Sequence, residues 1–146
     1  MSRSLREDIH IHAQVDAVRA RLVPAAVGLA YGWLPEAFAD ARWDDGALSF
    51  RLALPLRSER AQLHLGSDDG RALEFVAASG SDAIRAMTWV MNPEGVHEVH
   101  LLAELAYEPV GGPFGWLLEM ALHRPLRQQA LRDALWRLKL IVEGRS

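Results

Sequence analysis

Along the first half of the chain the spacing of apolar residues changes twice. From Glu7 to Ala13, Ile9 and Ile11 point one way and Asp8, His10 and His12 the other, which is the period of a half-buried strand. Val15, Val18 and Leu22 then recur at helical spacing. Pro24 opens a second apolar segment, Ala25 to Trp33, that Pro35 ends; proline suits a first helical turn and breaks a helix interior. The pattern therefore predicts two short helices directly after the first strand.

From Phe38 the period returns to two. Phe38 to Trp43 is a short strand. Leu48, Phe50, Leu52 and Leu54 alternate with polar or small residues up to Pro55, and Ala61, Leu63 and Leu65 form the next inward set. Leu73, Phe75 and Ala77 follow, then Met87, Trp89 and Met91 on the strand Ala83 to Asn92. His97, Val99, Leu101, Ala103, Leu105 and Tyr107 line one face of the last strand, with Glu98, His100, Glu104 and Glu108 on the other. The connections are Asp44-Asp45-Gly46, Asp68-Asp69-Gly70, Gly80-Ser81-Asp82 and Pro93-Glu94-Gly95, all tight-turn chemistry. Turns this short join antiparallel neighbours, so the reading is a seven-stranded antiparallel sheet.

The last third is helical. Phe114, Leu117, Leu118, Ala121, Leu122, Leu126, Ala130, Ala134, Leu138 and Ile141 form one wide apolar stripe, with Arg124, Arg127, Arg132, Arg137 and Lys139 mostly off it. Those cations read as a solvated face with snorkelling stems. Pro125 predicts a kink. Roughly 28 residues of helix span about 42 Å, too long to hide inside a small domain but suited to lie across a curved sheet. No repeat or linker divides residues 1–146, so one α+β domain is expected.

Composition narrows the chemistry. The chain has no cysteine, which excludes disulfides, thiolate catalysis and cysteine-ligated zinc or iron–sulfur centres, and it suits a reducing cytoplasm. A net charge of −3 argues against nucleic-acid partners and stable membrane association. The polar start, Met1 to His12, lacks the apolar core of a signal peptide, and Leu22 to Trp33 falls short of the ~20 residues that span a bilayer. No serine stands in a nucleophile elbow, and Gly111-Gly112 is not a phosphate loop. The paired carboxylates Asp44-Asp45 and Asp68-Asp69 precede glycines and read as turns.

Three stretches carry a family resemblance. Trp89-Val90-Met91 is similar to a W-x-F/M strand. Ala106-Tyr107-Glu108-Pro109-Val110-Gly111-Gly112-Pro113 is similar to a Y-E-P-x-G-G-P exit into a long helix, and Leu135 to Lys139 to an L-x-x-L-K helix end. With the order of elements, these resemble the START-like, or Bet v 1-like (SRPBCC), superfamily, nearest its bacterial polyketide cyclase/dehydrase-like and coenzyme-Q-binding-like branches. The resemblance spans the whole chain in topology and is specific from Ala86 to Glu143. It implies a helix-grip fold: a curved seven-stranded antiparallel sheet, two short helices after strand one, and a long kinked C-terminal helix. It also implies a small lipophilic ligand in an apolar cavity between sheet and helix, with no resident cofactor.

The lining expected for that cavity is Phe50, Leu52, Leu63, Leu65, Phe75, Met87, Trp89, Met91, Leu101, Tyr107, Leu118 and Leu122. Periodicity alone does not distinguish this from a filled core, which would leave a protein-interaction module. A cyclase/dehydratase-type enzyme is the other alternative, and its candidate polar groups are Tyr107, His97 and Arg85, which share parity with inward residues. His10 and His12, with His100, Glu98 and Glu104 on the partner strand, offer metal-ligand chemistry on the outer face; with the register open, no metal is assigned. Exposed Trp33, Trp116 and Trp136 would suit a homodimer face or a gate over the cavity mouth.

Overall fold

A computed structural model describes residues 3–24, 29–30, 34–44, 46–109 and 111–144. Its strands are β1 (Arg3–Ile11), β2 (Leu29–Ala30), β3 (Phe38–Asp44), β4 (Ala47–Leu54), β5 (Arg57–Asp68), β6 (Ala72–Ala77), β7 (Ile84–Pro93) and β8 (Val99–Tyr107). All join one curled antiparallel sheet in the order β1-β8-β7-β6-β5-β4-β3-β2. The seven strands expected are the seven long ones, and β2 adds a two-residue edge.

That edge corrects one expectation. Leu29 and Ala30, placed in a second helix by their apolar run, pair instead with Trp43 and Arg42. The rest of that segment lies outside the described residues. A short apolar run cannot by itself separate a buried helix from a strand, and here the open edge of β3 supplied the hydrogen-bonding partner. Helix α1 (Val15–Leu22) forms as expected, burying Val18 and Leu22. Arg19 on α1 forks onto both oxygens of Asp68 at the end of β5, and that hydrogen-bonded guanidinium holds the Asp68 carboxyl below its ordinary value.

The turns follow their sequence chemistry. Asp69 Oδ1 accepts hydrogen bonds from the amides of Arg71 and Ala72 at 2.9 and 2.7 Å, which occupies the carboxylate in building the turn. Pro55 and Leu56 make the two-residue β4–β5 turn, with Leu56 in the left-handed region at φ 65° and its side chain in solvent. Along β4, β5, β7 and β8 the alternate residues Leu48, Phe50, Leu52, Ala61, Leu63, Met87, Trp89, Met91, Leu101 and Leu105 are buried on one concave face. Strand β1 pairs with β8 from Arg3↔Tyr107 to Ile11↔Val99, as the topology requires.

The C-terminal helix runs from Gly112 to Val142 in three parts: α2 (Gly112–Leu118), a π-helical turn (Glu119–His123) and α3 (Arg124–Val142). Gly111 caps α2 at φ 102°, and a Cβ there would lie 3.2 Å from Gly115 Cα, so the loop needs glycine for both backbone sign and space. The predicted irregularity near Pro125 is this π turn. Proline has no N–H to give the Ala121 carbonyl and its ring crowds that turn. The turn before it widens, and the Arg124 amide reaches back five residues to the Glu119 carbonyl.

Candidate functional site

The widened turn decides which side chains face the sheet. Beyond Arg127, the buried residues of α3 are Ala130, Leu131, Ala134, Leu135 and Leu138, as an apolar stripe demands. In α2 and the π turn the order is inverted. Gly115, Glu119 and His123 are buried and continue onto Arg127, while Phe114, Trp116, Leu117 and Met120 are exposed. Of the two helix residues expected to line a cavity, Leu118 and Leu122 are only half-buried.

Arg127 is fully buried, which corrects its assignment to a solvated basic face. Its Nε and Nη2 donate to Glu119 at 2.9 Å each, and its Nη1 and Nη2 donate to Glu59 at 2.5 and 2.6 Å. Its guanidinium carbon lies 4.3 Å from the centre of the Tyr107 ring. Burial works against the charge, but the hydrogen bonds that Arg127 donates to Glu59 and Glu119 outweigh it and raise the Arg127 pKa further. Two forked carboxylates meet one guanidinium, the geometry in which a buried ion pair offsets its desolvation.

Around this core stand Tyr107, Arg124 and His123. Burial pushes the Tyr107 phenol up, reinforced by Glu119 and opposed by Arg124, whose Nη1 donates to the phenolic oxygen at 3.2 Å. His123 is fully buried, and its Nε2 lies 2.9 Å from the Pro55 carbonyl oxygen. A carbonyl only accepts, so Nε2 carries the proton and donates. In the neutral ring Nδ1 is then a bare acceptor; it has no hydrogen-bond partner and lies 4.0 Å from Glu119 Oε1. A buried polar atom left without a partner is uncommon and marks a place where a ligand or water belongs.

The expected lining residues are placed as follows. Phe50, Leu52, Leu63, Phe75, Met87, Trp89, Met91, Leu101 and Tyr107 are all buried on the concave side, and Leu65 is half-buried beside a bulge at Gly66. His97 sits exposed in the β7–β8 turn and does not join them. A register shift between Ile84 and Ala86 moves Arg85 out of the inward parity, and its Nη2 donates to the carbonyls of Ser81 and Asp82 at 2.8 and 2.6 Å. Of the three polar candidates, only Tyr107 lies with the buried network. Two clefts of about 420 and 250 Å³ open on the strands, one against β3, β4 and β5 and one beside Arg6, Thr88 and Leu102; neither is lined by Tyr107 or Arg127.

Sequence reasoning missed Glu59, Glu119, His123 and Arg127. For Glu59 a signal was present: it shares parity with Ala61 and Leu63. For the others the signal was the repeat of four, Glu119-His123-Arg127, of which only Arg127 was considered, among the cations off the apolar stripe.

No family model matches the chain, and no curated protein matches it in sequence. Solved structures do match in shape. A START superfamily protein from Mycobacterium smegmatis superposes with a TM-score of 0.70 at 14% identity, covering 97% of each chain. The Zhui aromatase/cyclase from a Streptomyces species gives 0.73 at 11%, covering 98% of this chain and 94% of that one. Norcoclaurine synthase from Thalictrum flavum, solved with dopamine and hydroxybenzaldehyde, gives 0.62 at 20%, covering 100% and 90%. At these identities the likeness speaks for the fold, and with the sheet order, the gripping helix and the glycine-capped exit from β8 it shows that the chain has the START-like, Bet v 1-like helix-grip fold.

Proposed function

We propose that the chain binds a small lipophilic molecule between the concave face of the sheet and the C-terminal helix. The apolar body would lie against Phe50, Phe75, Met87, Trp89 and Met91, and its polar group would turn toward Tyr107, Arg124 and His123. The observation that supports this most is the composition of the buried surfaces. One end is an apolar wall that rewards burial at about 25 cal/mol per Å². The other is a charge network satisfied within itself except for one imidazole nitrogen. A few convergent polar groups beside an apolar wall are what orient a ligand. The exposed apolar residues of α2, beside the Gly111-Gly112 hinge, would form the gate.

Native mass spectrometry of protein purified from a lipid-rich host, followed by denaturing extraction, tests the proposal. A stoichiometric lipophile released on denaturation supports it. A clean apo mass, together with no saturable uptake of a fluorescent lipophile such as anilinonaphthalene sulfonate, sinks it and leaves a filled-core interaction protein.

A second reading, a cyclase/dehydratase-type enzyme, is favoured by one detail. His123, with Nε2–H anchored on Pro55 and Nδ1 free, is posed as a general base, and Glu119 is near enough to stabilise its protonated form. On that reading His123→Asn abolishes turnover; turnover surviving in this variant would eliminate it.

A further inference from the structure

The outer face of the sheet carries a second cluster, on the opposite side from the buried network. Ile9 and Ile11 on β1, and Val99 and Leu101 on β8, turn inward and lock the register, which sets His10 directly opposite His100 on the outer face. The two rings stack with centroids 4.3 Å apart and planes 5° from parallel. Glu94 enters from the start of the β7–β8 turn, where Gly95 at φ 90° and a 2.8 Å bond from the Glu94 amide to the Glu98 carbonyl fix the backbone. Its Oε1 lies 2.8 Å from His10 Nδ1. Asp8 Oδ2 lies 2.7 Å from His100 Nε2. One nitrogen of each ring and one Glu94 oxygen all lie within 4.8 Å of one another.

We propose that His10, His100 and Glu94 form a binding site for a divalent first-row transition ion such as Zn²⁺. Two stacked imidazoles have no mutual hydrogen bond to make, and each turns its polar edge to a carboxylate. A shared cation satisfies both rings and the carboxylates together. Ligands about 2.1 Å from one tetrahedral ion lie roughly 3.4 Å apart, so side-chain rotations of about an ångström close the site without moving the strands. Two imidazoles with a carboxylate select a borderline ion over Mg²⁺ or Ca²⁺, which take oxygen ligands. Asp8 supplies a fourth oxygen or anchors the His100 ring. The ion would tie β1, β8 and the β7–β8 turn together at the end of the sheet where β1 runs on toward α1.

The test uses untagged protein, titrated with ZnCl₂ by calorimetry and with Co²⁺ by visible absorption. The expected result is one ion per chain, a rise in melting temperature with Zn²⁺, and no uptake of Mg²⁺ at the same concentrations. His10→Ala and His100→Ala should each weaken Zn²⁺ binding at least about tenfold and abolish the thermal shift. His97→Ala, in the same turn but exposed and outside the cluster, should change neither. Absence of saturable uptake up to about 1 mM Zn²⁺, far above what a three-ligand site requires, overturns the proposal. So does binding that survives either histidine substitution, because the ion would then sit elsewhere.

Discussion

The two halves of the C-terminal helix bury opposite kinds of side chain. From Ala130 onward α3 buries alanine and leucine against β1 and the sheet. Before Pro125, the π turn buries a glutamate and a histidine, while Phe114, Trp116 and Leu117 face solvent. One helix thus contributes apolar core in its second half and a buried polar network in its first. The irregular turn brings Glu119 inward, and that carboxylate is admitted because Arg127, two turns on, donates to it and to Glu59 on β5.

This contrast can be broken by substitution, the largest effect first. Arg127→Leu leaves Glu59 and Glu119 buried without a cation and should destabilise the fold by about 3–5 kcal/mol in urea or thermal unfolding. Adding Glu59→Gln and Glu119→Gln should recover much of that loss; no recovery would mean that Arg127 acts by packing rather than by charge. In the apolar half, Leu135→Ala should cost about 2–5 kcal/mol through its cavity, and no partner substitution should rescue it. If the same carboxamide changes rescued Leu135→Ala, the two halves would not be energetically distinct.

Smaller effects sharpen the same line. The Tyr107 phenol has its pKa raised in the folded protein, above an ordinary value of about 10. The unfolded chain therefore releases this proton first, and the stability it contributes is present below about pH 10 and lost as pH rises through the folded value. Tyr107→Phe should flatten that alkaline decline in a pH series of melting temperatures; an unchanged slope would place the phenol outside the network. At the bottom of the scale, Phe114→Ser and Trp116→Ser should move stability by no more than about 0.5 kcal/mol, since both side chains are exposed. If α2 is a gate, those same variants should change the rate of lipophile uptake by stopped-flow fluorescence while leaving the melting temperature in place.

Much of the fold was legible because its signals are local. The alternation at Leu48–Leu54 and Val99–Tyr107, the Asp68-Asp69-Gly70 turn and the break at Pro125 all act within a few residues, and the structure honours each. The errors share a cause as well. Leu29 and Ala30 became an edge strand because β3 offered backbone partners far along the chain. Arg85 lost its inward parity to a bulge, and His97 fell into a turn two residues before β8 began. Arg127 was assigned to water because a charged residue is seldom buried without partners, and its partners stand 8 and 68 residues away.

What the sequence determined by itself is the arrangement of surfaces: which residues make strands, which turns connect them, and that an apolar concave face meets an amphipathic helix. These follow from side-chain period and backbone dihedral preference, which need no knowledge of distant neighbours. What only the tertiary structure decided is which polar groups those surfaces bring together. The Glu59–Arg127–Glu119 network and the His10–His100–Glu94 cluster each gather side chains from separate elements. Their chemistry exists only once strand register and helix rotation are set, and both of those are settled by packing of the whole sheet against the helix.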